Sequence, residues 1–318
     1  MLNGLTSLLL SVATATSAPA QPGWGFDGGL RVGLWPADGG PRGLIRIYSP
    51  FLDNPPGQVI NFIAVEPIVN GRRSYSELER SAVDGKPGKM MWAVDELPRD
   101  WGTWKPPDEP ARGRMIRVDG QAALSVFVVV EPLDNGARPV IQIILRKDHP
   151  REVALRVDAA PGGTPMDACV LSATMGNYAR LRRLHLRDDV VEPARLWPSF
   201  DNVDWGGPGF TPHAQWGIDR MQVRDGVAEV TATPDEADPA AARYAPDTPA
   251  WWRYRGKRAA QFWRAPATKD LVVRVNGRRA YWGSRIDIPG GVAFENFEMQ
   301  APFAPGQAFT FGVHEMRD

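Results

Sequence analysis

Cysteine is almost absent from this chain, and Cys169 is its one thiol. An internal disulfide and a thiolate metal cluster are both excluded, which leaves Cys169 as a small apolar group filling a strand. Histidine is scarce as well. His149, His185, His213 and His314 are scattered, and no pair has the local spacing of metal ligands. There is no HExxH, no P-loop and no GxSxG nucleophile elbow. Gly23-Trp24-Gly25-Phe26-Asp27-Gly28 satisfies GxGxxG, but it follows no strand and opens no helix, so it does not read as a dinucleotide site. Charge of one sign is lacking too: 37 basic residues face 37 acidic ones, which argues against a nucleic-acid partner held by a net positive field. Only six of the basic residues are Lys. Coding bias accounts for that excess of Arg, and so does a use for planar guanidinium groups that bind carboxylates or sulfates in pairs of hydrogen bonds. Beyond the N-terminus no apolar run reaches the roughly 18 residues that cross a bilayer.

What is present begins with a leader. Residues 1–20, MLNGLTSLLLSVATATSAPA, carry an apolar region and end in Ala18-Pro19-Ala20, a small-residue cleavage pattern. They read as an export signal with Gln21 as the first mature residue, although no Lys or Arg precedes the apolar region. A frayed hydrophobic terminus is the plain alternative. The expectation is a secreted or periplasmic protein.

Residues 21–318 are punctuated by turn dipeptides: Asn70-Gly71, Asp119-Gly120, Asn135-Gly136, Asp225-Gly226 and Asn276-Gly277, each beside β-branched runs. Such pairs supply the positive φ values of two-residue hairpins. With 30 Pro and 32 Gly, hardly any window keeps a helical apolar period. The expected fold is all-β, an antiparallel β-sandwich of jelly-roll or larger supersandwich type. It is read as one large domain, with a possible division near 159–165. Three long Pro-, Gly- and Trp-rich stretches, 95–113, 198–216 and 234–254, interrupt the strands. They either cover sandwich edges or form binding rims. Trp101, Trp104, Trp205, Trp216, Trp251 and Trp252 lie in them, and flat aromatic faces stack on sugar rings.

The most polar strand-like stretch is 171–187. Its alternation puts Ser172, Thr174, Tyr178, Arg180 and Arg182 on one face, then slips in phase, which predicts a β-bulge near Arg182 and Arg183. Tyr178, Arg180 and Arg182, with His213 or His185, are candidates for proton transfer and charge neutralisation, and Asn177 and Gln261 for binding the substrate. A solvated outer face would show the same pattern. Tyr75, Glu77 and Glu79 are in phase on a second predicted strand, where two carboxylates fit glycoside hydrolysis or simply face solvent. Glu295 and Glu66 fall in phase with apolar neighbours, so each is either paired with an Arg or faces a cleft with a raised pKa. Two oxygen-rich groups, Asp201-Asn202-Asp204 and Asp235-Glu236-Asp238, are plain turns or, less in keeping with the pattern, calcium ligands. No other metal or cofactor is indicated.

Residues 73–80, RSYSELER, resemble the R-S-E-L-R strand of jelly-roll alginate lyases, in which an Arg and a Glu line a uronate groove. Two residues intervene here, and the second Arg is displaced to Arg80. Neither the Q-I/V-H strand nor the YFKAGVYNQ strand of that family is present, and Gln142-Ile143 is not followed by His. More broadly, the hairpins and the polar strand resemble mutarotase-like and lyase-like sandwiches. These likenesses imply a polysaccharide or oligosaccharide partner, with Trp205 and Trp252 as stacking surfaces. The functional expectation is lyase-type β-elimination first and glycoside hydrolysis second. A non-catalytic carbohydrate-binding or envelope protein is the alternative from another class.

Overall fold

The computed structural model describes residues 23–37, 40–52, 59–109, 111–174, 179–201 and 209–316. The expected leader, Asn177, Tyr178 and Trp205 lie outside them. In the first half the strands are Trp24–Gly25 (β1), Arg31–Ala37 (β2), Gly40–Tyr48 (β3), Val59–Val69 (β4), Arg72–Arg73 (β5), Met91–Val94 (β6), Arg114–Val118 (β7), Gln121–Val130 (β8), Pro139–Arg146 (β9) and Glu152–Ala159 (β10). Ala168–Thr174 (β11), Leu181–His185 (β12), Val190–Val191 (β13), Ala214–Gly217 (β14), Gln222–Arg224 (β15), Val227–Pro234 (β16), Ala259–Pro266 (β17), Val272–Arg278 (β18), Ala293–Pro302 (β19) and Gln307–Glu315 (β20) follow. Among the described residues one α-helical turn, Pro193–Leu196 (α1), interrupts them.

Two antiparallel sheets result, and they pack together as an all-β sandwich. The nine-stranded sheet runs β1-β2-β3-β4-β11-β19-β18-β14, with β5 beside β4. The eleven-stranded sheet runs β13-β12-β16-β17-β20-β10-β9-β8-β6, with β15 beside β16 and β7 beside β8. Alternation explains the core. Ile63 and Val65 of β4, Leu171 and Ala173 of β11 and Phe297 and Met299 of β19 point inward to meet Ile141 and Ile143 of β9, Leu155 of β10 and Phe309 and Phe311 of β20. Trp263 of β17 crosses between the sheets and donates its indole N–H to the Phe297 carbonyl at 2.8 Å. Cys169 is buried in β11, and burial pushes its thiol up to about 12. Among the described residues no helix is long and apolar enough to cross a membrane.

Three of the five turn pairs close hairpins with positive φ at both positions: Asn70-Gly71, Asp119-Gly120 and Asp225-Gly226. Asn135-Gly136 sits in a wider turn, where Ala137 N donates to Asn135 Oδ1 at 3.1 Å. Asn276-Gly277 is not a turn at all. It lies inside β18, because the Asn276 side chain accepts the Asn296 N–H at 3.1 Å and Gly277 N donates to Thr211 Oγ1 at 2.8 Å. The stretch 171–187 is likewise not one strand. β11 belongs to the nine-stranded sheet and β12 to the other, and Arg180, between them, has a positive φ of 42°. The expected bulge is present: Leu181 pairs with Pro234 and Arg183 with Thr233, which leaves Arg182 as the extra residue.

Candidate functional site

A cleft of about 860 Å³ lies on the outer face of the nine-stranded sheet. Its floor follows from register. Arg46, Phe62, Thr174, Asn296 and Asn276 are successive partners across β3, β4, β11, β19 and β18, so their side chains form one transverse row. Arg46 lies over the Phe62 ring, 4.2 Å from its centroid. Thr174 Oγ1 donates to Asn296 Oδ1 at 2.9 Å. With the Asn276 oxygen also engaged by the Asn296 N–H, the amide NH₂ groups of both asparagines are left to serve the cleft. Sequence alternation alone did not single out this row, because a polar outer face is the ordinary pattern of an antiparallel sheet.

Glu295 enters the cleft through a break in register. Asn276 pairs with Asn296 but Gly277 pairs with Phe294, so Glu295 is the unpaired residue of a bulge in β19. Phe294 turns into the core with Phe297, and Glu295 lines the cleft instead of the interior. Burial pushes its carboxyl up to about 7, against the pull of the Arg278 guanidinium. Of the two alternatives read from strand phase, this residue takes the cleft position with a raised pKa, and the Arg278 charge acts on it from nearby.

Glu66, Arg73, Glu298 and His213 form a connected group. The Arg73 guanidinium donates to Glu298 Oε1 and Oε2 at 2.8 and 3.1 Å and also to Glu66 Oε2. His213 Nε2 donates to Glu298 Oε1 at 3.2 Å, and Arg274 Nε lies 3.7 Å from Glu298 Oε2. Burial works to raise the Glu298 carboxyl, but the hydrogen bonds from His213 and Arg73 and their charges outweigh it and hold the group down at about 2. Glu66 goes the other way. Burial and the neighbouring charge of Glu77 raise its pKa well above the usual carboxylate range despite Arg73. Glu77, hydrogen-bonded to Glu66, is raised by burial too.

The expected strand through Tyr75, Glu77 and Glu79 is a turn. Leu78 N and Glu79 N both donate to the Tyr75 carbonyl, at 3.2 and 3.0 Å. Ser76 Oγ takes the Val65 N–H at 3.1 Å and Ser74 Oγ the Asn135 N–H at 3.1 Å, so the segment is tied down by side chains rather than by a ladder. Glu77 consequently lines the cleft, while Glu79 turns away to accept the N–H groups of Tyr75 and Asp134 at 3.1 and 2.8 Å. Of the residues singled out from sequence, the fold thus gathers Glu66, Glu77, His213, Trp252 and Glu295 in one cleft.

Arg73 and Tyr75 line the cleft as well, whereas Arg180, Arg182, Gln261 and His185 lie elsewhere. Arg180 and Arg182 are buried in ion pairs with Glu236 and Asp235. Those pairs occupy the second of the two oxygen-rich groups weighed for calcium, and Asp238 caps Ala240 N at 2.9 Å. In the first group, Asn202 and Asp204 fall outside the described residues, within which no cluster of His, Cys, Asp and Glu is arranged to hold a metal. Gln261 is a core residue whose Oε1 accepts from Asn61 Nδ2 at 2.9 Å. His185 meets Thr233 Oγ1 at 2.9 Å in the other sheet.

The chain matches no protein-family model and no curated protein. The site therefore has to be read from its own chemistry. It sets a histidine anchored by an ionised carboxylate beside Glu295, whose carboxyl burial pushes up to about 7, and beside Glu66 and Glu77, both raised by burial. Amide donors lie on the floor between them, with Tyr75, Phe210, Trp252 and Trp282 around the walls.

Proposed function

We propose that this is an exported carbohydrate-active enzyme that binds a polysaccharide in the cleft and breaks a glycosidic bond by proton transfer, by β-elimination at a uronate. The observation that carries this reading is the opposition of protonation states. Glu298 is held ionised behind His213, while Glu295 keeps a proton up to about pH 7. Divergent environments of this kind mark acid and base partners. In the reaction, the Asn276 and Asn296 amides and Arg46 receive the uronate carboxylate and make the C5 proton acidic. His213 removes that proton, with Glu298 stabilising the imidazolium that forms. The electron pair becomes the C4–C5 double bond as the C4–O bond breaks, and Glu295 gives its proton to the leaving oxygen. Water is not consumed, and the product carries an unsaturated uronate end.

A second reading, hydrolysis, rests on the Glu66–Glu77 pair, whose carboxyls are raised by burial beside ionised Glu298, an acid and base arrangement of the kind a glycosidase uses. Incubation of the mature protein with a panel of uronate-containing and neutral polysaccharides separates the two. Ultraviolet absorbance from unsaturated ends supports elimination, and new reducing ends without that absorbance support hydrolysis. Glycan binding with neither signal rejects both in favour of a binding protein.

A further inference from the structure

The arginines that the polar stretch suggested for catalysis have a different use, and it concerns one wall of the cleft. Two irregular segments, 235–258 and 279–292, build that wall. They share a small satellite core, separate from the main one, in which Tyr281, Ile288 and Ala293 pack with Tyr244, Trp252 and Ile286. Trp252 lies flat on Tyr281, with ring centroids 4.9 Å apart and planes 10° from parallel. One face of the indole is thereby covered, and Trp252 lines the cleft.

Both segments are fastened by Arg180 and Arg182. Arg180 is fully buried. It donates to Glu236 Oε1 at 3.1 Å, to the Tyr244 hydroxyl at 2.5 Å and to the Pro239 carbonyl, all in the first segment. Tyr244 in turn accepts the Tyr254 N–H at 2.7 Å, two residues beyond Trp252. Arg182 joins the two segments. It donates to Asp235 and Glu236 at 3.1 and 2.9 Å in the first, and to the carbonyls of Pro289, Gly291 and Val292 in the second, the last two at 3.2 and 3.1 Å. Space for that guanidinium depends on Gly290, where a Cβ would sit 3.1 Å from it. Glu236 Oε1 receives both arginines and closes the clamp.

We propose that Trp252 is a stacking platform for the C–H face of a pyranose ring and that the Arg180–Glu236–Arg182 clamp is a positioning device holding that platform in the cleft. The idea rests on the carbohydrate reading above, but the clamp itself can be judged without it. Aromatic faces bind sugars through their C–H edges in any charge state, so the platform contributes to substrate affinity and leaves the proton-transfer groups untouched.

The test compares wild type with Glu236→Gln, Trp252→Ala and the double variant on whichever glycan of the panel is cleaved. Each single variant is expected to raise KM by about 5- to 10-fold with kcat within twofold, and the double variant to go no further than Trp252→Ala. Trp252→Phe should recover part of the loss. Hydrogen exchange of the amides in 239–254 and 281–292 should accelerate at least tenfold in Glu236→Gln while the core strands keep their protection. If Glu236→Gln fails to fold, Tyr281→Leu removes the stacking partner while keeping Glu236 and both arginines, and should raise KM alone. An unchanged KM in Trp252→Ala, or effects of the two substitutions that multiply, would overturn the proposal. If no glycan is cleaved, the carbohydrate reading fails on its own, and unaltered exchange in Glu236→Gln is what would overturn the clamp.

Discussion

Glu295 illustrates how far one residue's environment sets its chemistry. An ordinary glutamate titrates near 4.5, and burial in the bulge carries this one to about 7. Because its folded pKa is raised, it favours the folded state fully below about pH 4.5, and that contribution is lost as pH rises through about 7. The shift corresponds to something on the order of 3 kcal/mol between those limits. Denaturant unfolding of wild type and Glu295→Gln across this range should show the variant gaining relative stability as pH increases; parallel curves would contradict the assignment. Activity should fall on the alkaline side of pH 7 as Glu295 loses its proton, and Glu295→Gln should abolish that limb together with most of the rate. His213→Ala is expected to lower kcat by about 10² or more with little change in folding, since the side chain is partly exposed and its loss leaves Glu298 still bonded to Arg73.

At the scale of elements, the decisive feature is the pairing of β18 with β19. The bulge there reverses the facing of Glu295 and Phe294, and Gly277 opposite it has no room for a side chain. A Cβ would fall 2.8 Å from Val292 Cγ1 and 2.9 Å from the Ala293 carbonyl. Gly277→Ala should therefore destabilise the protein by about 1–3 kcal/mol and reduce activity by displacing the bulge, measurable as a lower unfolding midpoint together with a lower kcat. This is also where reading from sequence had its limits. Asn-Gly marks a hairpin at 70–71 because two bare positive-φ positions are needed there, and the same dipeptide at 276–277 is spent on a side-chain bridge and a close approach. Strand phase flagged Glu295 and Glu66, because a carboxylate among apolar positions needs a reason. It passed over Glu298, Asn296 and Asn276, whose outward phase looks like any solvated face. It misplaced Arg180 and Arg182 because alternation within a segment carries no information about which sheet each part joins. Within 73–80, the stretch likened to a lyase strand, Arg73 and Glu77 line the cleft, and the chain beyond Arg73 forms a turn and no strand through Tyr75, Glu77 and Glu79.

Across the whole molecule, the repeated hairpin pairs and the lack of helical period were enough to make the sandwich legible, since local turn chemistry dictates antiparallel neighbours. The cleft was not, because it depends on which strands become adjacent across long separations: β4 beside β11, and β11 beside β19. Cys169 gives a direct probe of that assembly. Its single thiol is buried between the sheets and pushed up to about 12. Labelling by a thiol reagent should follow global unfolding, with a rate that rises with denaturant as the unfolded population does. Rapid labelling under native conditions would mean that β11 opens locally.

The central claim, that this cleft breaks glycosidic bonds by proton transfer, is tested most directly by initial rates of glycan depolymerisation for wild type, His213→Ala and Glu295→Gln, read by ultraviolet absorbance and reducing ends together. The account predicts unsaturated product from wild type and a loss of about 10² or more in each variant at unchanged fold. Cleavage that survives both substitutions, or no cleavage of any uronate-containing or neutral glycan by wild type, would contradict it.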